Sequence, residues 1–347
     1  MHDVIKDISR WIENGESVVL ATVVHTWGSS PRGVGAKMAF TPQGKITGSV
    51  SGGCVESQVF ESGIETMQTG RPQLLKFGVA DETAFEVGLA CGGNIEVFVL
   101  PLDRDLFHSV EKEINAHQAL AMSIVLEGPE PLVGRYLMLS ESGSQIGNLE
   151  AELGQIARQT ALNALAEEKC SKVTIQTSDN QSVTLFTDVI YPPPTLVMVG
   201  GVHIAVALAR IAKTLDYRTC LIDPRRAFGN QERFPHVDQL IQAWPQEALQ
   251  QINLTRSTCV TLLTHDPKID DPAIKFVLES PVFYIGALGS KKTHENRRQR
   301  LLTDGISEES LARIHAPIGL DLGAVTPEEI ALSVMAQIVA VRRGRSD

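Results

Sequence analysis

Three short strings in the first hundred residues hold side chains that can do chemistry. Ser51-Gly52-Gly53-Cys54-Val55-Glu56 runs from a glycine pair into a helical pattern (Val55, Val59, Ile64, Met67), which places Cys54 at a helix N-terminus. Free N–H groups and the helix dipole favour negative charge there, and a thiol so placed is readied to act as a nucleophile or metal ligand. Ser29-Ser30-Pro31-Arg32 puts a guanidinium in a proline-restricted loop, suited to a phosphate or a carbonyl edge. Cys91-Gly92-Gly93 supplies a second thiol between residues that let a ligand approach the backbone. Together they suggest an anion and thiolate site, with Cys54 as the reactive thiol and Cys54 and Cys91 as soft metal ligands. The plain alternative for each cysteine is a small buried side chain in a tight turn.

A different chemistry is suggested further along. An apolar strand runs into Gly200-Gly201-Val202-His203 and a helix, and Asp223 ends the next strand, the placing of a dinucleotide-binding turn with its ribose carboxylate. Val202, however, stands where the fingerprint wants glycine for close approach to the pyrophosphate. Two readings stay open: NAD(P) binding, or a Rossmann scaffold without nucleotide. Gly286-Ala287-Leu288-Gly289-Ser290-Lys291 forms a second glycine-bearing strand-to-helix turn, at the edge where open α/β sheets bind ligands. Gly200, Gly201, His203, Asp223, Gly286, Gly289, Ser290 and Lys291 are therefore candidate cofactor contacts. The run from Lys291 to Arg300 is the densest positive charge in the chain and reads either as a solvated helix face or as an anion contact.

The elements that must position these residues fall into two halves. Residues 18–48 lie over residues 119–147, with Gly28 on Gly128 and, after one deletion, Gly35, Gly44 and Gly48 on Gly134, Gly143 and Gly147. Each copy reads as a strand, a glycine loop, a hairpin, a helix and closing strands. An α+β domain over residues 1–190, built from a duplicated unit (about 15–105 and 118–190), is expected. The three chemical strings occur only in the first copy, so shared features read as architecture and unshared ones as site. After Tyr191-Pro192-Pro193-Pro194, apolar strands alternate with helices, the pattern of a doubly wound, Rossmann-like parallel sheet over residues 191–347.

Composition narrows the function classes. The 347 residues hold 41 acidic and 31 basic side chains, a formal charge of −10, which argues against nucleic acid or an anionic bilayer as partner. No long apolar run suggests a membrane span, and the amphipathic start is unlike a signal peptide; a cytoplasmic protein is expected. The five cysteines are odd in number and never spaced as Cys-x-x-Cys, unlike a disulfide framework or an iron–sulfur site.

The strings ATVVHTWGSSPRGVGAKM, GSVSGGCVES and LACGGNIEVFV, with YIGALGSKKTHENR and HAPIGLDLGAVTPEEIALSVMAQI further on, resemble the XdhC/CoxI family, accessory proteins of xanthine dehydrogenase and related molybdenum hydroxylases. The resemblance covers about Gly15 to Arg343 and is weakest in the second repeat copy. It implies a chaperone that binds the molybdenum cofactor (molybdopterin), supports its sulfuration with a cysteine desulfurase, and delivers it to the apoenzyme rather than oxidising purines itself. It also implies that Ser29, Ser30, Arg32, Gly52, Gly53, Cys54, Glu56, Cys91, Gly92 and Gly93 belong to the site. The family's Gly-x-Gly-His appears here as Gly200-Gly201-Val202-His203, keeping the histidine and losing the second glycine. A homodimer is the expected assembly. The rivals are an NAD(P)-dependent oxidoreductase using the second half, and a partner protein whose site is vestigial.

Overall fold

Val19, Ala21 and Val23 alternate with Leu20, Thr22 and Val24 along the first strand, and all six are buried, so both faces of this strand must be covered. The computed structural model, which describes residues 1–28, 30–78, 93–147, 149 and 151–345, covers one face with a helix and the other with a second sheet. The chain forms two units, Met1–Pro192 and Pro193–Asp347. No helix among the described residues is long and apolar enough to cross a membrane.

The first unit contains α1 (His2–Glu13), β1 (Val19–Trp27), β2 (Lys37–Phe40), β3 (Ile46–Gly48), α2 (Glu56–Thr69), β4 (Gln73–Phe77) and β5 (Asn94–Pro101). It continues with α3 (Arg104–Asn115), β6 (Leu120–Glu127), β7 (Tyr136–Ser140), β8 (Gln145–Gly147), α4 (Ala151–Glu167), β9 (Ser171–Gln176) and β10 (Ser182–Ile190). Two antiparallel sheets result, ordered β3-β2-β1-β5-β4 and β8-β7-β6-β10-β9, the same topology twice. Outer faces pack on α2 and α4; inner faces meet through Val24, Phe98, Ile124, Leu126 and Phe186. The duplicated α+β architecture read from the sequence is present.

Its alignment needs one correction. The Val23 amide bonds to Ala36 and its carbonyl accepts from Gly35; Val125 makes the same two bonds with Arg135 and Gly134. Val23 is therefore the counterpart of Val125, and Gly28 is not the counterpart of Gly128. The glycine matches at 35, 44 and 48 hold in the β2–β3 and β7–β8 ladders. Gly35 lies twelve positions after Val23 and Gly134 nine after Val125, so copy one carries three extra residues in the loop that holds Arg32. A two-residue shift preserves which face each side chain takes, and for that reason the apolar pattern could not reveal it.

The second unit contains β11 (Thr195–Val199), α5 (His203–Thr214), β12 (Arg218–Ile222), β13 (Gln239–Ile241), α6 (Pro245–Leu249) and β14 (Thr258–Leu262). It ends with α7 (Pro267–Leu278), β15 (Tyr284–Ala287), α8 (Lys291–Thr303), α9 (Glu308–Leu311), β16 (Ile314–His315) and α10 (Pro327–Arg342). All five pairings in the sheet β13-β12-β11-β14-β15-β16 are parallel. Helices α5 and α10 pack on one face, α6, α7 and α8 on the other, the expected doubly wound Rossmann arrangement. A full capping box, Thr326 with Glu329, starts α10. The strand order reverses between β11 and β14, which brings Gly200 beside Thr264.

Candidate functional site

Gly52 and Gly53 adopt positive φ (80° and 119°), and the loop from Ser49 to Val55 curls back on the first residue of α2. Glu56 Oε1 accepts from the amides of Ser51 (2.9 Å) and Gly52 (3.0 Å) and from the Ser49 hydroxyl (2.6 Å). Its Oε2 accepts from the Gly53 amide (2.8 Å) and from the Ser51 hydroxyl. Ser51 Oγ in turn accepts from the amides of Cys54 and Val55, each at 3.0 Å. Burial alone would raise the Glu56 pKa, but the Ser49 and Ser51 donors outweigh it and hold the carboxyl down at about 2.

This corrects the expectation that the loop offers open N–H groups to an external anion: an internal carboxylate already fills that cradle. What the loop presents instead is Cys54, half-buried and unpaired by disulfide, on a backbone fixed by Glu56. Sequence reasoning placed Glu56 in the site by resemblance and missed its role; an acidic residue five positions after Ser51, opening a helix, was the available signal.

Arg32 lies against the same loop. Its Nε donates to the Ser49 carbonyl (3.2 Å) and its Nη2 to Asp3 of α1 (2.7 Å), in a pair exposed enough to exchange partners. Ser30 Oγ donates to the Arg32 carbonyl (2.8 Å), and a Cβ at Gly52 would stand 3.7 Å from that of Pro31. The structure thus brings the Ser30–Arg32 and Ser51–Glu56 strings together. Ser29, Cys91 and Gly92 lie outside the described residues; Gly93 is buried just before β5. Among the described residues no group of three or more His, Cys, Asp or Glu is placed to hold a metal ion.

The Rossmann turn departs from the ribose reading. Asp223 is fully buried: Oδ2 accepts from the Gly201 amide (2.7 Å) and Arg225 Nη2 (2.8 Å), and Oδ1 from the Arg225 amide and Nε (2.8 and 2.9 Å). Burial works against the charge, but the Arg225 side chain and the Gly201 amide bring the pKa below the ordinary carboxylate value. Arg233 Nη1 ties the Gly201 carbonyl (2.7 Å) to that of Phe228 (2.9 Å), and a Cβ at Gly201 would meet the Phe228 oxygen at 2.5 Å. The chain's own 225–234 loop therefore packs on Gly201, and the carboxylate expected for a ribose is taken up by Gly201 and Arg225. His203 opens α5 exposed to solvent.

At the second turn, Gly286 lies inside β15 and leaves room for Ile318 and the Tyr284 hydroxyl, a packing role rather than a ligand contact. Gly289 has φ 144°, Ser290 caps α8 by accepting from the Thr293 amide (3.2 Å), and Lys291 is exposed. Much of the basic run is neutralised within the fold: buried Arg297 pairs with Asp270 (3.4 Å), Arg300 with Asp271 (2.7 Å), and Arg298 with Glu308. Among the described residues, the pKa values of three other thiols are raised by their surroundings. Burial pushes Cys220 up to about 12 and Cys259 higher still, and burial with Asp188 nearby pushes Cys170 up to about 11.

The match to known proteins follows the same two units. The model of the XdhC and CoxI family matches residues 11–78 and that of the XdhC Rossmann domain residues 196–338. A Bacillus subtilis protein described as a probable xanthine dehydrogenase subunit is 31% identical over 336 residues, 96% of this chain and 95% of its own. The chain belongs to the XdhC and CoxI family. Its family resemblance extends to the Escherichia coli molybdenum cofactor insertion chaperone PaoD, 28% identical over 95% of this chain and 85% of that one. A crystal structure of a Bacillus halodurans protein described as a xanthine dehydrogenase shares the fold, with a TM-score of 0.76 at 24% identity, covering 99% of this chain and 96% of that chain. The 11–78 match spans β1 to β4, including both Arg32 and the Ser51–Glu56 loop.

Proposed function

We propose that this XdhC and CoxI family member is an accessory protein that binds the molybdenum cofactor and inserts it into a molybdenum hydroxylase such as xanthine dehydrogenase. The observation that carries this is the meeting of two copy-one strings at one loop: Arg32 bonds to the Ser49 carbonyl of the loop that holds Cys54, half-buried on a backbone clamped by Glu56. Likeness to an insertion chaperone over 95% of the chain supports it.

The donor set fits the cofactor at its metal end. Cys54 is the soft thiol that would hold molybdenum or its terminal sulfur, and Arg32 is the cation that would meet a phosphate by exchanging Asp3 for it. The loop amides would not take that phosphate, since Glu56 and Ser51 hold them. When bound, the cofactor would supply oxygen- or sulfur-transfer chemistry destined for the hydroxylase, while the chain's own residues hold and orient it. The fuller role includes sulfuration of the cofactor with a cysteine desulfurase, in a homodimer acting in the cytoplasm. NAD(P)-dependent oxidation by the second unit is disfavoured, because Asp223 and the Gly201 amide bind each other and the 225–234 loop.

The test is transfer. Chain loaded with sulfurated molybdenum cofactor, mixed with apo xanthine dehydrogenase, should restore xanthine oxidation, and chain carrying Arg32→Ala should restore it at least several-fold more slowly. Equal rates would remove Arg32 from the site; no restoration by either would remove the insertion role.

A further inference from the structure

Between the two sheets of the first unit lies a cavity of about 360 Å³, lined from both repeat copies. That volume is in the range of small-molecule sites, about 300–1,000 Å³. Neither Cys54 nor Arg32 lines it, so the cavity is a second site, beyond the function proposed above and independent of it.

The duplication shows which wall residues packing does not require. With Val23 equivalent to Val125, the ladders make Thr22–Phe98 in copy one the counterpart of Ile124–Phe186 in copy two, and Leu20–Leu100 the counterpart of Met122–Asp188. Lys37 and Tyr136 each begin the second strand of their copy. Every one of these side chains faces the cavity. The two phenylalanines are preserved across the duplication. At the other positions the copies differ, and the differences gather at one end: Lys37 and Thr22 from copy one, Asp188 from copy two.

Lys37 Nζ donates to Asp188 Oδ2 and lies 3.4 Å from Thr22 Oγ1, and Cys170 Sγ lies 3.5 Å from Asp188 Oδ1. The side chains of the ion pair are 1% and 3% exposed. A buried ion pair gives little stability beyond that of apolar residues filling the same space, and copy two forms its equivalent wall with Tyr136 in place of Lys37. Facing a void, the pair instead offers a donor and an acceptor side by side. A carboxylate or phosphate would meet Asp188 as well as Lys37 and be repelled by it. A hydrocarbon would leave the pair unused. A lactam matches both groups at once, its C=O accepting from Lys37 and its adjacent N–H donating to Asp188.

We propose that this cavity binds a small, flat, uncharged heterocycle with a lactam edge, its ring against Phe98 and Phe186 and its amide edge on Lys37 and Asp188. Lumazine, a fluorescent bicyclic lactam, is the probe, and naphthalene, of similar size without polar atoms, is the control. Fluorescence titration of the full chain should show saturable lumazine binding, and the double substitution Lys37→Met with Asp188→Leu should weaken it at least tenfold while leaving naphthalene binding no weaker. Thermal melting of that variant should match or exceed wild type. Should the double variant fail to fold, Leu100→Trp, which narrows the cavity and leaves the ion pair intact, should also weaken lumazine binding with its melting retained. Absence of saturable lumazine binding by wild type, or equal binding by a folded variant of either kind, would overturn the proposal. Loss of cofactor retention by Cys54→Ala with lumazine binding unchanged would separate this cavity from the Cys54 site.

Discussion

Glu56 decides how the Cys54 loop is shaped. Its carboxylate gathers donors from Ser49, Ser51, Gly52 and Gly53, and its pKa is held at about 2 against an ordinary value of 4.5. A carboxylate whose pKa is depressed on folding stabilises the native state fully above the unfolded pKa and loses that contribution as pH falls through the folded one. Glu56→Gln should therefore cost about 1–2 kcal/mol at neutral pH, discounted for its half-exposed position. The gap from wild type should close between pH 4.5 and about 2. Urea denaturation at pH 7, 4 and 3 checks this, and a pH-independent gap would contradict it. Asp223 is the second such residue. Arg225→Ala leaves a buried carboxylate with backbone donors alone and should cost roughly 2–3 kcal/mol, read as a lower denaturation midpoint; a change under about 0.5 kcal/mol, the scale of an ordinary surface substitution, would show that Asp223 is not held as described.

At the scale of elements, the strands and helices were legible because their apolar periods are strong. Val55, Val59 and Met67 marked α2, and the alternation after Pro194 marked the parallel sheet. What stayed illegible was register and polar pairing. The two-residue shift between β1 and β6 keeps every side chain on its face, so glycine matching misassigned Gly28 and hid the extra residues of the Arg32 loop. The Lys37–Asp188 pair joins strands 151 positions apart, beyond any local pattern. The candidate site was legible as far as Cys54 and its glycines, which are local; the partners of Asp223 were not, since a fingerprint does not show that the 225–234 loop folds back over its own turn. The closed turn predicts that NAD and NADP at 1 mM give no binding heat in calorimetry. A saturable isotherm at that concentration would mean the loop opens.

At the scale of the whole molecule, the chain is two units, each with its own sheets and its own apolar cores. Such units are expected to unfold separately. Scanning calorimetry should resolve two transitions, with Glu56→Gln lowering one and Arg225→Ala the other; a single transition lowered equally by both would show that the units unfold as one. The central claim joins the residue scale to this one: a duplicated domain keeps one copy as scaffold and gives the other a clamped thiol for a molybdenum cofactor. Its most direct test is cofactor retention. After incubation with purified molybdenum cofactor and gel filtration, wild-type protein should carry molybdenum and pterin together, and folded Cys54→Ala should carry at least several-fold less. Equal retention by the two proteins, or none by wild type, would contradict the account.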